Sequence, residues 1–221
     1  MPMNHSRLFF RCCSALLAFA IFALSSCNSI NGFSSSSKLV GVQRVAVVNA
    51  VNGMTRFHQG ITVFDNVFRH EASPQMDEAL HAAVSSGLAG RFTVVNTSVP
   101  PEYQRGRGNL PPVPGVDAIV VVRSGFSGLS EPDVATQGYG THTTRLFPNA
   151  TAFAKLQIVF YDARTGKRLT SCTTNELYGL VGVGWKKDWE AYTPAERDSI
   201  HRSILGAFNS VRHKLERFCM R

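Results

Sequence analysis

Residues 150 to 178 read ATAFAKLQIVFYDARTGKRLTSCTTNELY, and their pattern decides the fold. From Ala150 the small and apolar residues Ala152, Ala154, Leu156, Ile158 and Phe160 alternate with Phe153, Lys155, Gln157, Val159 and Tyr161. A period of two sends successive side chains to opposite faces of a strand. Asp162-Ala163-Arg164-Thr165-Gly166-Lys167 forms the turn, where Gly166 is free to take positive φ. Arg168 to Tyr178 then returns antiparallel, completing a long hairpin.

Upstream, Val42 to Val51 (VQRVAVVNAV) is a β-branched run closed by Asn52-Gly53 and predicts a buried strand. Between Gly53 and His70 the signals are mixed, with Ile61 to Phe64 as a short strand candidate. Ser73-Pro74 opens a helix, with Ser as cap and Pro at the first helical position. Its apolar stripe is Met76, Leu80, Ala83, Val84 and Leu88, and Gly90 stops it. Phe92 to Val95 is a second strand. Residues 98 to 115 (SVPPEYQRGRGNLPPVPG) carry five prolines, which excludes them from sheet or helix and makes them a surface loop. Arg105 and Arg107 on that loop are candidate contacts for an anion, though a solvated loop is the simpler expectation.

Val116 to Arg123 (VDAIVVVR) is a third strand, expected to be central and parallel to the first. Residues 124 to 149, rich in Gly, Ser, Thr and Pro, read as a second long loop. After the hairpin, Thr193-Pro194-Ala195-Glu196 is a capping box. It starts a long amphipathic C-terminal helix with Ile200, Ile204, Phe208, Val211, Leu215 and Phe218 on one face. The element order predicts an α/β (α+β) class: a mixed sheet of about five strands with helices packed on one face.

RVAVVNAV, a helix, FTVVN, DAIVVV and a hairpin turning at YDARTGKRL together resemble the periplasmic domain shared by the curli-secretion lipoprotein CsgG, the N-terminal part of TolB and the lipoprotein LpoB. The resemblance covers roughly residues 42 to 217. It implies a fold and an envelope address; the matching residues are structural, so no functional residue carries over.

The N-terminal segment reads as export machinery. Arg7 and Arg11 precede the apolar run Ala15 to Leu24 (ALLAFAIFAL), which is shorter than the ~20 residues a membrane-spanning helix needs. Leu24-Ser25-Ser26-Cys27 resembles the bacterial lipobox, which implies a signal peptide over residues 1–26 and diacylglyceryl and palmitate chains on Cys27. By the same resemblance, Asn28 after the cysteine implies sorting to the outer membrane. Residues 27–41, polar and Ser-rich, read as a flexible tether, and residues 42–221 as a single periplasmic α/β domain. The 23 Lys+Arg and 15 Asp+Glu give a net charge of +8, or +6 once Arg7 and Arg11 leave with the signal; charge of this size selects no partner. With Cys27 acylated and Cys12 and Cys13 removed, Cys172 and Cys219 are left as a disulfide candidate in an oxidising compartment.

No residue pattern points to chemistry. His58, His70, His81, His142, His201 and His213 lack metal-ligand spacing with a nearby Cys or carboxylate, so no metal or other cofactor is expected. Gly138-Tyr139-Gly140-Thr141-His142 lacks the strand-to-helix setting of a nucleophile elbow and reads as a turn. Gly182 to Lys187 lacks the ending of a phosphate-binding loop. Trp185, Lys186, Lys187, Trp189 and Tyr192 instead form the candidate interaction surface: rings beside lysines suit a protein partner or lipid headgroups, although Trp185 and Trp189 folding back as a lid is an equal expectation. An envelope address argues against nucleic acid. The sequence therefore predicts a membrane-anchored, non-catalytic binding or scaffolding lipoprotein in envelope assembly or secretion, with an envelope protein partner. The alternative is a subunit of an oligomeric outer-membrane secretion channel, if the hairpin extends into a barrel strand pair.

Overall fold

A computed structural model describes residues 36–51, 54–60, 66–71, 73–105, 110–125, 138–143, 150–179 and 183–220. Cys27 and the signal and lipobox residues lie outside them. The strands are β1 (Arg44–Asn49), β2 (Met54–Gln59), β3 (Asn66–Glu71), β4 (Thr93–Val94), β5 (Ala118–Ser124), β6 (Gly138–Thr143), β7 (Thr151–Asp162) and β8 (Arg168–Gly179). The helices are α1 (Pro74–Ala89), the single turn α2 (Glu102–Arg105) and α3 (Pro194–Cys219).

All eight strands form one mixed sheet in the order β3-β2-β6-β7-β5-β1-β4, with β8 also paired to β7. The expected hairpin is its spine. β8 runs along β7 from Thr151↔Gly179 to Tyr161↔Arg168. A strand has two edges, so β5 and β6 share the other one end to end. β6 pairs with residues 151 to 155 and β5 with residues 156 to 162, both antiparallel. β1 is parallel to β5, as its β-branched run predicts, and β2 is parallel to β6.

The sheet thus has eight strands where the sequence predicts about five. The additional strands are β2, β3 and β6. MTRFHQ and GYGTHT carry buried polar residues, Thr55, His58, Thr141 and Thr143 among them, so apolar alternation does not announce them. The residues expected as a turn, Gly138 to His142, lie in β6. Gly140 is required there by close approach: a Cβ at that position would lie 1.8 Å from the Arg56 carbonyl oxygen on β2. The candidate strand Ile61 to Phe64 falls outside the described residues.

One face carries the main core, where α1 and α3 cover Val45, Ala118, Val120, Val122, the even-numbered residues of β7 from Ala152 to Phe160, and Cys172. The two helices approach closely at Gly87, whose added Cβ would meet the Arg212 carbonyl oxygen at 2.8 Å. α3 keeps its predicted capping box, and Ile200, Ile204, Phe208, Val211, Leu215 and Phe218 are all buried. Burying each such side chain contributes roughly 1.5–3 kcal/mol.

The opposite face carries a second core, built on residues 98–115, which the sequence places in a surface loop without helix and which contain the turn α2. The proline-rich segment folds onto it, contributing Tyr103 from α2 together with Leu110 and Val113, packed on Ala46, Val48, Ile119, Val121, Val159 and Tyr161. The Tyr103 hydroxyl donates to the Pro111 carbonyl at 2.9 Å, which satisfies a buried polar group and closes the loop on itself. Residues 36 to 41, expected as tether, also join the fold: Ser36–Leu39 is a 3-10 turn and Leu39 lies in the main core.

Candidate functional site

The segment before α3 carries the predicted interaction residues, and most of them fold back. Trp189 and Tyr192 are buried, with ring centroids 5.5 and 5.8 Å from that of Phe57 on β2. The Lys186 amide donates to the Tyr192 hydroxyl at 3.0 Å. Its ammonium donates to the Ala191 carbonyl at 3.0 Å and the Glu196 carboxylate at 2.6 Å, and lies 5.4 Å from the Tyr192 ring centroid. That ammonium, with the Thr193 backbone amide and hydroxyl, pulls the Glu196 carboxyl down to about 2. Lys186, Trp189 and Tyr192 therefore form a strap over the sheet, while Lys187 is exposed and Trp185 half-buried.

Beside this strap opens a cleft of about 760 Å³, within the range of small-ligand pockets. The β2–β3 pair contributes Thr55, His70 and Glu71, the start of α1 contributes Ser73, Pro74, Asp77 and Glu78, and Trp189 and His201 complete it. Pairing sets Thr55 between His70 on β3 and Tyr139 on β6, so these three share the face that carries α1 and α3. His70 stacks on Trp189 at 4.8 Å and 21°. The ring of His201, on the first turns of α3, is 5.4 Å from Trp189, and the Arg197 guanidinium lies 5.3 Å from the same indole.

Two neighbours position Asp77. Its carboxylate accepts from the Asn49 side-chain amide at 3.3 Å and the Tyr139 hydroxyl at 3.4 Å. Burial first, and then Asp77, raise the Tyr139 hydroxyl far above the ordinary phenol range, so it stays a donor. Burial, reinforced by His70 and opposed by Asp198, lowers His201 and favours its neutral ring. Sequence spacing brings Trp189 into view but not Thr55, His70, Asp77 or His201 as partners, because they come from four separate elements. The one local signal is the Ser73-Pro74 helix start, which places Asp77 and Glu78 in the first turns of α1.

His58 and His142, paired across β2 and β6, stack at 4.8 Å with Nδ1 atoms 2.6 Å apart. Among the described residues no group of three or more His, Cys, Asp or Glu side chains is placed to hold a metal ion. The disulfide candidates Cys172 and Cys219 are free thiols in this structure, both buried. Each packs as a small apolar group in the main core, and burial pushes both thiols up to about 11. β7 is buried on both faces, which removes it as a lipid-facing barrel strand. Among the described residues no helix is long and apolar enough to cross a membrane.

No family model matches this chain, and no curated protein does. Solved structures share a general likeness. A DUF330 protein from Xanthomonas campestris has 8% identity over 86% of each chain, with a TM-score of 0.47. A lipoprotein from Neisseria meningitidis has 16% identity over 76% of this chain and 94% of that one, with a TM-score of 0.36. The PelC dodecamer from Paraburkholderia phytofirmans has 10% identity over 79% and 88%, with a TM-score of 0.32. Likeness at this level carries no argument about function.

Proposed function

We propose that the protein is a bacterial envelope lipoprotein, held by acyl chains on Cys27 at the outer membrane and facing the periplasm. Its α/β domain is a non-catalytic binding module serving envelope assembly or secretion, and its ligand occupies the cleft beside Trp189. The observation that carries this reading is the cleft itself. Its walls come from separate elements and are fixed in place by the His70–Trp189 stack and the Asn49 and Tyr139 hydrogen bonds to Asp77. Such fixing reduces the ordering cost of binding. The lipobox-like LSSC ending at Cys27 supports the anchor. The first described element, Ser36–Leu39, follows that cysteine by about nine residues, so the domain would stand close to the membrane surface.

The intact mass of membrane-extracted protein, beside a Cys27→Ser variant, tests the anchor. A mass equal to residues 27 to 221 plus acyl chains, lost in the variant, is the expected result. A full-length, unacylated chain in both would remove the anchor and the envelope role with it.

A further inference from the structure

We infer that the cleft beside Trp189 binds a ligand through a protonated amine; this rests on the reading of that cleft as the module's binding site. The charge and the polar groups of the cleft point to a cation. The chain is basic overall, with 23 Lys+Arg against 15 Asp+Glu. Yet the described residues lining the cleft include the carboxylates of Glu71, Asp77 and Glu78 and neither a lysine nor an arginine. Against the Arg197 guanidinium 5.3 Å from the Trp189 ring, the three lining carboxylates leave the mouth acidic, opposite to the protein's own sign, which concentrates cations there.

Thr55 supplies the second observation. It lines the cleft and is 3% exposed, and among the described residues no hydrogen bond reaches its hydroxyl. A hydroxyl that opens into the cleft without a protein partner has its lone pairs free to accept from an ammonium donor there. The third is the state of the surrounding groups. The Tyr139 hydroxyl donates to Asp77, which orients one carboxylate while leaving its remaining lone pairs available. His201 is held toward its neutral form, so it adds little positive charge that would repel an amine. Carboxylate, hydroxyl and neutral imidazole are acceptors for the three N–H bonds of a primary ammonium, and the Trp189 and His70 rings offer apolar contact to its alkyl chain.

The same chemistry could come from a free diamine or from a lysine side chain of a peptide, and the test separates them. Trp185→Phe leaves Trp189 as the chain's sole indole, since the protein has two tryptophans. Titrating that protein with cadaverine, with the peptide Gly-Lys-Gly and with neutral 1,5-pentanediol reads the cleft directly by fluorescence. A saturable change with cadaverine or Gly-Lys-Gly but not with pentanediol is expected, the tighter of the two amines naming the source. Asp77→Asn should weaken it roughly tenfold or more. Glu78→Gln, an exposed position, should weaken it in the same direction and guards against a folding defect in the first variant. No saturable response to either amine, or equal affinity in both variants, overturns the inference. A response to pentanediol equal to that to cadaverine also overturns it, while leaving the cleft a binding site; the lipid anchor is unaffected by either result.

Discussion

Glu196 joins three pieces of structure with one carboxylate: it completes the capping box of α3, accepts from Thr193 at 2.8 Å, and holds Lys186 of the strap at 2.6 Å. Its folded value of about 2 lies below the ordinary 4.5. A depressed carboxyl contributes stability that is fully present above its unfolded value and is lost as pH falls through the folded one. Denaturant midpoints should therefore drop between about pH 4.5 and pH 2, and Glu196→Gln should show a shallower drop over that window. Thr193→Ala removes the partner of the Glu196 amide and should cost about 1 kcal/mol in urea unfolding. Phe208 marks the other extreme of scale for a single side chain. It is 1% exposed and meets Tyr139 edge-on at 5.2 Å, so Phe208→Ala should cost about 3–5 kcal/mol.

Among the elements, β6 is the one whose chemistry the sequence conceals. A methyl group on Gly140 has no space against the Arg56 carbonyl, so Gly140→Ala should separate β2 from β6 and leave little folded protein by circular dichroism. Gly206→Ala, where the added carbon meets the Tyr178 ring at 2.9 Å, should be milder because a side chain at an edge strand can shift. The cysteines on β8 and at the end of α3 are both buried with raised thiols. They should resist alkylation in native protein and react on unfolding; failure to react even when unfolded, reversed by reductant, would show that the exported protein bridges them. β1, β5, the β7–β8 hairpin, α1 and α3 were legible because apolar period and capping residues are local signals. β2 and β6 were not, since their buried Thr55, His58, Thr141 and Thr143 look polar until a partner strand is beside them, and in β3 (NVFRHE) only Val67 and Phe68 are apolar. The cleft was legible only through Trp189 and the start of α1, because adjacency across β3, α1 and α3 is written nowhere in spacing.

At the scale of the molecule, β7 is the only strand among the described residues that joins the β3-β2-β6 group to the β5-β1-β4 group. Its backbone is hydrogen-bonded on both edges and its side chains are buried on both faces. Its amides should therefore be among the slowest in native-state hydrogen exchange, opening only with global unfolding. Those of β8 that point away from β7 should exchange faster, since the described residues place no strand on that side.

That position of β7 also sets an order of events in time. Six of the eight strands precede residue 151 in the chain, and until β7 arrives they can form only two separate three-stranded groups. A polypeptide emerging N-terminus first from a ribosome or a membrane pore would present both halves before the strand that unites them. Completion of the native sheet thus waits on the last third of the chain, and the half-sheets made before then have open edges that something must shield from one another.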